Sequence, residues 1–286
     1  MLQYAYLYDE GTASTLDAAA VAAYLEAMFG LGVEVRGAFL LHHLAGRPEA
    51  ERERELAALA ERLARVKVRE VERPDHFPDP LPGEVDFERR RLGNDDRGAP
   101  GILYDGFRCQ QLLAGRLPPG ERSLEHLHLV FTNRTLGTWE ESDRRYHLRS
   151  ILLGHPAIIS TTGLVEAPAK PREFYFARQR LGLVARDEAV HAALKEQFRG
   201  RFHDHDDPRL TEVAKGYALQ AAFYQAAGVA FCANPDCRLY NAHWQEELLR
   251  AQLGPKANLC PEHAGLLEKA IRDRGSGVRG QGKGKR

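Results

Sequence analysis

The residues best suited to do chemistry are Cys232, Cys237, Cys260 and His263, which stand as C-x4-C-x22-C-x2-H in the last third of the chain. Three thiolates and an imidazole are donors that zinc takes in a closed tetrahedral site, where its role is structural. The insert of the first pair, Ala233-Asn234-Pro235-Asp236, is turn-forming and can fold the chain back between two ligands. The second pair encloses Pro261 and Glu262 and runs into an apolar stretch, Ala264 to Ile271. Unligated buried cysteines and a disulfide are the competing readings. The paired spacing speaks against the first, and nothing marks the chain as secreted, which speaks against the second. The expectation is one structural zinc on these four residues. Cys109 has no partner nearby in sequence and reads as a packed thiol.

Other groups are candidates on weaker patterns. His126 and His128 fall on one face of a predicted strand, where they could share a metal or simply be hydrogen-bonded. The polar loop His203-Asp204-His205-Asp206-Asp207 has donor types that suit a divalent ion, although such loops often hold nothing. Two predicted loops crowd functional side chains: Trp139 to Arg149, with Asp143, Arg145 and His147, and Tyr240 to Glu247, with His243 and Glu246. His243 and Glu246 are three apart and would share a helix face, as an acid/base pair or as an ion pair. Between prolines, Glu166, Lys170, Arg172 and Glu173 could clamp an anion or form a solvated loop.

The elements that must position these groups follow from periodicity. Leu2 to Tyr8 predicts a strand, Asp17 caps a helix over Ala18 to Phe29, and Val33 to Leu40 predicts a second strand. Strand, helix and strand in so short a span imply a right-handed crossover and a parallel pair. Glu49 to Val66 reads as a charged helix with Leu56, Leu59 and Leu63 as its apolar stripe. Pro74 to Gly101, rich in Pro, Gly, Asp and Arg, reads as a long loop. Helices are predicted over Asp105 to Leu117, Asp187 to Arg199 and Thr211 to Phe231; strands over Leu124 to Asn133, Tyr146 to Leu153, Ala157 to Thr161 and Glu173 to Arg178.

Composition bounds the function classes. The 286 residues carry 40 basic and 40 acidic side chains, a formal net charge of zero, so no global field points to nucleic acid or membrane. No apolar run approaches the roughly 20 residues of a membrane span, and Met1 to Glu10 lacks the pattern of a signal peptide. The expectation is a soluble, cytoplasmic protein. No basic and aromatic residues interleave around the cysteines, which speaks against a nucleic-acid module built on them. Gly275 to Arg286, glycine-rich and basic without an acid, is expected to be a disordered tail.

At the junction of the last long helix with Cys232, the sequence resembles the archaemetzincins, a family of small zinc metallopeptidase-like proteins. Their active-site helix carries H-E-x-x-H-x-x-G-x-x-H, followed at once by C-x4-C and later by C-x2-C. Cys232 to Cys237 matches the first pair, Cys260 to His263 matches the second with His for the last Cys, and Gly228 falls on the helix-ending glycine. Leu127 to Arg134 resembles the family's central strand, and Gly154 with Ala157 to Ser160 its edge hairpin. The resemblance implies an α+β fold of α/β-type sandwich form, with a mixed, mostly parallel metzincin-like sheet and a zinc-stabilised helical subdomain at the carboxy terminus. It divides the chain into 1–231 with a charged insertion at about 48–100, 232–274 holding the zinc, and 275–286 as the tail.

The departures bear directly on function. The family's three histidine ligands would occupy Ala221, Gln225 and Phe231, its catalytic glutamate Ala222, and its methionine Leu239. Alanine and phenylalanine neither bind zinc nor move a proton, and a hydrolytic zinc needs about three protein ligands with a base in reach of its water. The expectation is a metallopeptidase-like zinc protein that has lost hydrolysis and binds a peptide, protein or small molecule in the residual cleft. The alternative is an enzyme using residues such as His243 and Glu246.

Overall fold

The computed structural model describes residues 1–11, 13–93, 101–181 and 188–279. Its first part is β1 (Tyr4–Asp9), α1 (Ala18–Phe29), β2 (Gly32–Arg36), α2 (Phe39–His42), α3 (Glu49–Arg65), α4 (Pro82–Gly93), β3 (Leu103–Asp105) and α5 (Gly106–Ala114). Then follow β4 (His126–Thr132), β5 (Thr135–Glu140), β6 (Arg145–Arg149), β7 (Ile151–Leu152), β8 (Ala157–Ser160), α6 (Thr161–Glu166), α7 (Arg172–Leu181) and α8 (Glu188–Gln197). The last part holds α9 (Leu210–Ala227), α10 (Gln245–Leu253) and α11 (Pro261–Arg279). The fold is α+β around a mostly parallel sheet.

That sheet runs β2-β1-β4-β8-β7, parallel except for β7, and a second sheet runs β3-β5-β6. Alternation along the strands sends side chains to two cores. Ala5, Leu7, Leu127, Leu129, Phe131, Ala157 and Ile159 face α1, α9 and the cysteine segment, whereas Tyr8, Val130 and Ile158 face α2, α3 and α5. Asp17 caps α1 by accepting from the Ala20 amide at 2.9 Å, as its sequence position predicts. Residues 49–93, most of the expected insertion, contribute to the second core, to which α3 gives Leu56, Leu59, Ala60 and Leu63 and α4 gives Leu92.

Several boundaries differ from the sequence expectation, each for a local reason. The second strand stops at Arg36, and Phe39 and Leu40 are buried from a short helix instead. The predicted loop over 74–101 contains α4, whose buried residues are Glu88 and Leu92; a helix face centred on an ion carries no apolar stripe. Residues 94–100 lie outside the described part. Glu173 to Arg178 is helix, not strand. Its run Phe174-Tyr175-Phe176 looks strand-like, but only Phe174 is buried, against Phe198 and Phe202 of a small satellite core. The predicted loop over 139–149 is a hairpin of β5 and β6, turned at Arg144 with φ 54. The predicted strand 146–153 is divided at Ser150 between the two sheets.

At the carboxy-terminal end, α9 stops at Gly228, whose φ of 70 closes the helix by returning its amide to the Tyr224 carbonyl, so Val229 to Phe231 lie beyond it. The backbone of α11 continues to Arg279, past the expected tail boundary, and 280–286 lie outside the described residues. Among the described residues, no helix is long and apolar enough to cross a membrane.

Candidate metal centre

Cys232, Cys237, Cys260 and His263 meet. Their ligand atoms all lie within 4.8 Å of one another, and all four cysteines of the chain are free thiols. The chain is brought back by two short backbone bridges, Cys232 with Tyr240 before α10 and Cys237 with Asn258 across it. The Cys237 amide donates to the Asn234 carbonyl at 3.0 Å, which closes the turn of the first pair. The Ala264 amide donates to the Cys260 carbonyl at 2.9 Å as α11 begins, so the second pair spans a helix start.

The donor set fits a zinc ion. For Zn–S bonds of about 2.3 Å, a tetrahedron has ligand–ligand edges of about 3.8 Å, and Cys232 Sγ to Cys260 Sγ is 3.9 Å. The His263 Nδ1 lies 3.0 Å from Cys260 Sγ, so a metal between them would open this edge by about half an ångström. Four protein donors leave no position for a water, which makes the site structural in kind. Cys237 is fully buried and His263 nearly so. Burial pushes the Cys237 thiol up, while Cys260 is drawn down in spite of its burial by hydrogen bonds from His263 and the neighbouring cysteines. The Asn234 amide donates to Cys232 Sγ at 3.3 Å.

On α9 and just beyond it, the four positions of the motif the sequence resembles do not converge on an open site. Ala221 and Ala222 are buried in the first core. Gln225 is half-buried and donates to the Leu124 carbonyl at 3.1 Å, and Phe231 is 41% exposed beyond the helix end. Phe231 therefore fills no interior space at the end of the helix. Leu239, in place of the methionine, is fully buried in the same core.

The other candidates fall out differently. His243 is exposed, and Glu246 is held by Arg201 at 2.8 Å; the carboxylate that reaches the His243 amide, at 2.9 Å, belongs to Glu247. Arg145 is paired with Asp143 at 2.6 Å. Lys170 Nζ lies a loose 3.8 Å from the Glu166 carboxylate, an opposite charge beside the lysine where an anion clamp would need converging cations. Cys109 is a packed thiol, with its pKa pushed up to about 12 by burial. The loop 203–207 borders a cavity of about 720 Å³ at the carboxyl ends of β4 and β8, a feature invisible in the local sequence.

His126 and His128 share a strand face, as expected, but both are engaged by tyrosines. His126 Nδ1 is 3.2 Å from Tyr6 OH; His128 Nδ1 is 3.0 Å from Tyr8 OH and its Nε2 3.0 Å from the Glu121 carbonyl. Burial is the main cause that lowers His43 and His128 to about 4, and it also lowers His155. With folded pKa values below the ordinary 6.5, the unfolded chain takes up protons first as pH falls. Stability from these groups is whole above about pH 6.5, is lost as pH falls toward 4, and the loss then levels off. For His128, whose side chain is 0% exposed, the full shift corresponds to about 3 kcal/mol. Urea unfolding is expected to show a lower midpoint at pH 4.5 than at pH 7. His128→Gln should flatten that difference; an unchanged difference would assign it to other groups.

Comparison with known proteins places these observations in a family context. The model of a probable metallopeptidase family (DUF6775) matches residues 1–270. Among solved structures, a zinc-dependent peptidase from Methanocorpusculum labreanum (strain Z) is 14% identical, covering 92% of this chain and 98% of that one, with a TM-score of 0.39. Archaemetzincin from Methanopyrus kandleri is 10% identical, covering 95% of this chain and 96% of that one, with a TM-score of 0.40. No match is found among curated proteins.

Proposed function

This chain belongs to that probable metallopeptidase family, and we propose that it is a member in which the zinc is structural, hydrolysis is lost and a peptide or similar ligand is bound. The observation that carries this reading is the state of α9. Where a hydrolytic site needs three donors and a base, the chain offers Ala221, Ala222, a Gln225 bound to a carbonyl, and an exposed Phe231. Two of these positions, Ala221 and Ala222, are buried in the first core, away from solvent that a hydrolytic water would need. The four donors at Cys232, Cys237, Cys260 and His263 are closed around their own centre. Zinc there ties α11 to α9 and does not meet substrate.

The test is direct. Full-length protein carrying one zinc per chain is expected to leave casein and short peptides uncut, with or without added zinc. Chelator-sensitive cleavage that copurifies with the protein and disappears on mutation of a single residue would overturn the loss of hydrolysis. Such a result would favour an active site built from other side chains. His243 and Glu246 are poor candidates, one being exposed and the other already held by Arg201.

A further inference from the structure

The cavity described above shares no lining residue with the cysteine cluster or the altered motif. It opens where parallel strands end: Asn133 follows β4, and Thr161 and Thr162 follow β8. In open parallel sheets the crevice beyond the carboxyl ends of the strands is where ligands are bound. Its walls combine an apolar part, with Ile102, Leu148, Val165 and Leu210, with hydroxyl, amide and imidazole side chains, and its ionised lining is carboxylate. Glu166, Asp204 and Asp206 face it, and no lysine or arginine is among the described lining residues.

These carboxylates differ in how far they are already compensated. Asp204 is paired with Lys195 at 2.7 Å. Among the described residues, Asp206 accepts a weak hydrogen bond from Ser14 Oγ at 3.3 Å. Glu166 has Lys170 Nζ at 3.8 Å and His205 Nε2 at 3.9 Å, both longer than a charge-assisted hydrogen bond. Glu166 and Asp206 thus retain acceptor capacity at the mouth of an apolar cavity.

The wall between them is built to stay in place. His203 also lines the cavity and is 1% exposed, and its Nδ1 makes no hydrogen bond although Asp207 is 3.3 Å away. Asp207 is itself gripped by Arg209 at 2.6 Å, and Arg209 donates on to the Phe202 carbonyl at 2.9 Å. The His203 amide donates to the buried Gln245 Oε1 at 2.9 Å. Such clamps remove the ordering cost that a free loop would incur on binding.

We infer that this cavity is a subsite for a cationic group on an apolar stem: a lysine or arginine side chain of a bound peptide, or the end of an aliphatic polyamine. Glu166 and Asp206 receive the ammonium or guanidinium, and Leu148, Val165 and Leu210 cover the methylene stem. Long basic side chains suit such a site because their stems bury while their heads keep polar partners. The peptide form of the inference rests on the proposed loss of hydrolysis with retention of ligand binding.

The experiment uses full-length zinc-loaded protein and fluorescence anisotropy. The probes are a labelled hexapeptide with one central lysine, the same peptide with norleucine in its place, and spermidine as competitor. The lysine peptide is expected to bind at least tenfold more tightly than the norleucine peptide, and spermidine to displace it. The double variant Glu166→Gln/Asp206→Asn should lose that tenfold preference while keeping its melting temperature and zinc content. Equal binding of the two peptides would overturn the subsite and leave peptide binding standing. Spermidine binding that depends on the two carboxylates, with no peptide bound, would keep the cation site and remove the peptide reading. No binding of any probe at millimolar concentration would overturn both. The lysine and norleucine comparison needs only the native protein, so it decides the matter even if the double variant fails to fold.

Discussion

Cys237→Ser protein is expected to purify with little or no zinc and with its carboxy-terminal third loosened. The thiol removed is fully buried and sits in both the metal cluster and the first core, beside Leu239 and Leu248. Structural zinc contributes folding free energy outright, with apparent values of about 10 kcal/mol or more in small peptides at neutral pH. Serine supplies no soft donor, and three remaining ligands hold zinc far less well. Between Cys232 and Cys260 the chain is anchored by the buried Leu239 and Leu248 and by Arg238, which donates to the Glu212 and Gln252 carbonyls, so the loosening is expected to centre on the two cysteine pairs themselves. Elemental analysis gives the zinc content, and limited proteolysis locates the loosening. Cleavage sites after Phe231 should open in the variant and in chelator-treated native protein alike. A zinc-free variant with an unchanged melting curve and no new cleavage would show that the ion is not structural.

Glu88→Ala is expected to destabilise the protein by about 3–5 kcal/mol, the cost of leaving buried charges without their partner. Glu88 is 0% exposed, and its carboxylate accepts from Lys67 Nζ at 2.8 Å and from Tyr104 OH at 2.6 Å. Arg134 approaches the same group at 3.6 Å and is paired with Glu10 at 2.8 Å. Truncation strands Lys67, whose side chain is 8% exposed, and deprives Arg134 of its second carboxylate. Against a total stability of about 5–15 kcal/mol, such a loss leaves a marginal fold. Urea unfolding reads it as a lower midpoint at unchanged slope. The paired replacement Lys67→Met/Glu88→Leu should recover most of the loss, because removing both ions also removes their desolvation cost. A loss below about 1 kcal/mol in Glu88→Ala would mean that water reaches the stranded ions.

The two predictions fall on opposite sides of what could be read from the chain. The zinc donors were legible because ligand chemistry is local: two pairs at turn spacing announce a metal whatever the fold around them. The central strands were legible for a similar reason, since alternation of Leu127, Leu129 and Phe131 with His126, His128 and Val130 states which face is apolar. The helix that carries Glu88 was not, because its buried face is ionic and its partners Lys67 and Arg134 come from distant segments. The helix over Arg172–Leu181 failed for the opposite reason: three aromatics in its run suggest burial on every side, and only Phe174 has a core to enter.

The sequence alone singled out four residues that could hold a metal, the side chains without zinc-binding chemistry at Ala221, Ala222 and Phe231, and the alternating strands around which the sheet is built. These are properties of residue type and near spacing. Tertiary structure alone decided that Ala221 and Ala222 are core and not a vacant site, that His243 and Glu246 are not a pair, and that Glu166 and Asp206 meet at one cavity. The physical reason is that burial, pairing and concavity belong to contacts between segments far apart in the chain. Glu166 and Asp206 are forty residues apart in numbering, and only the folded chain brings both to the lining of one cavity.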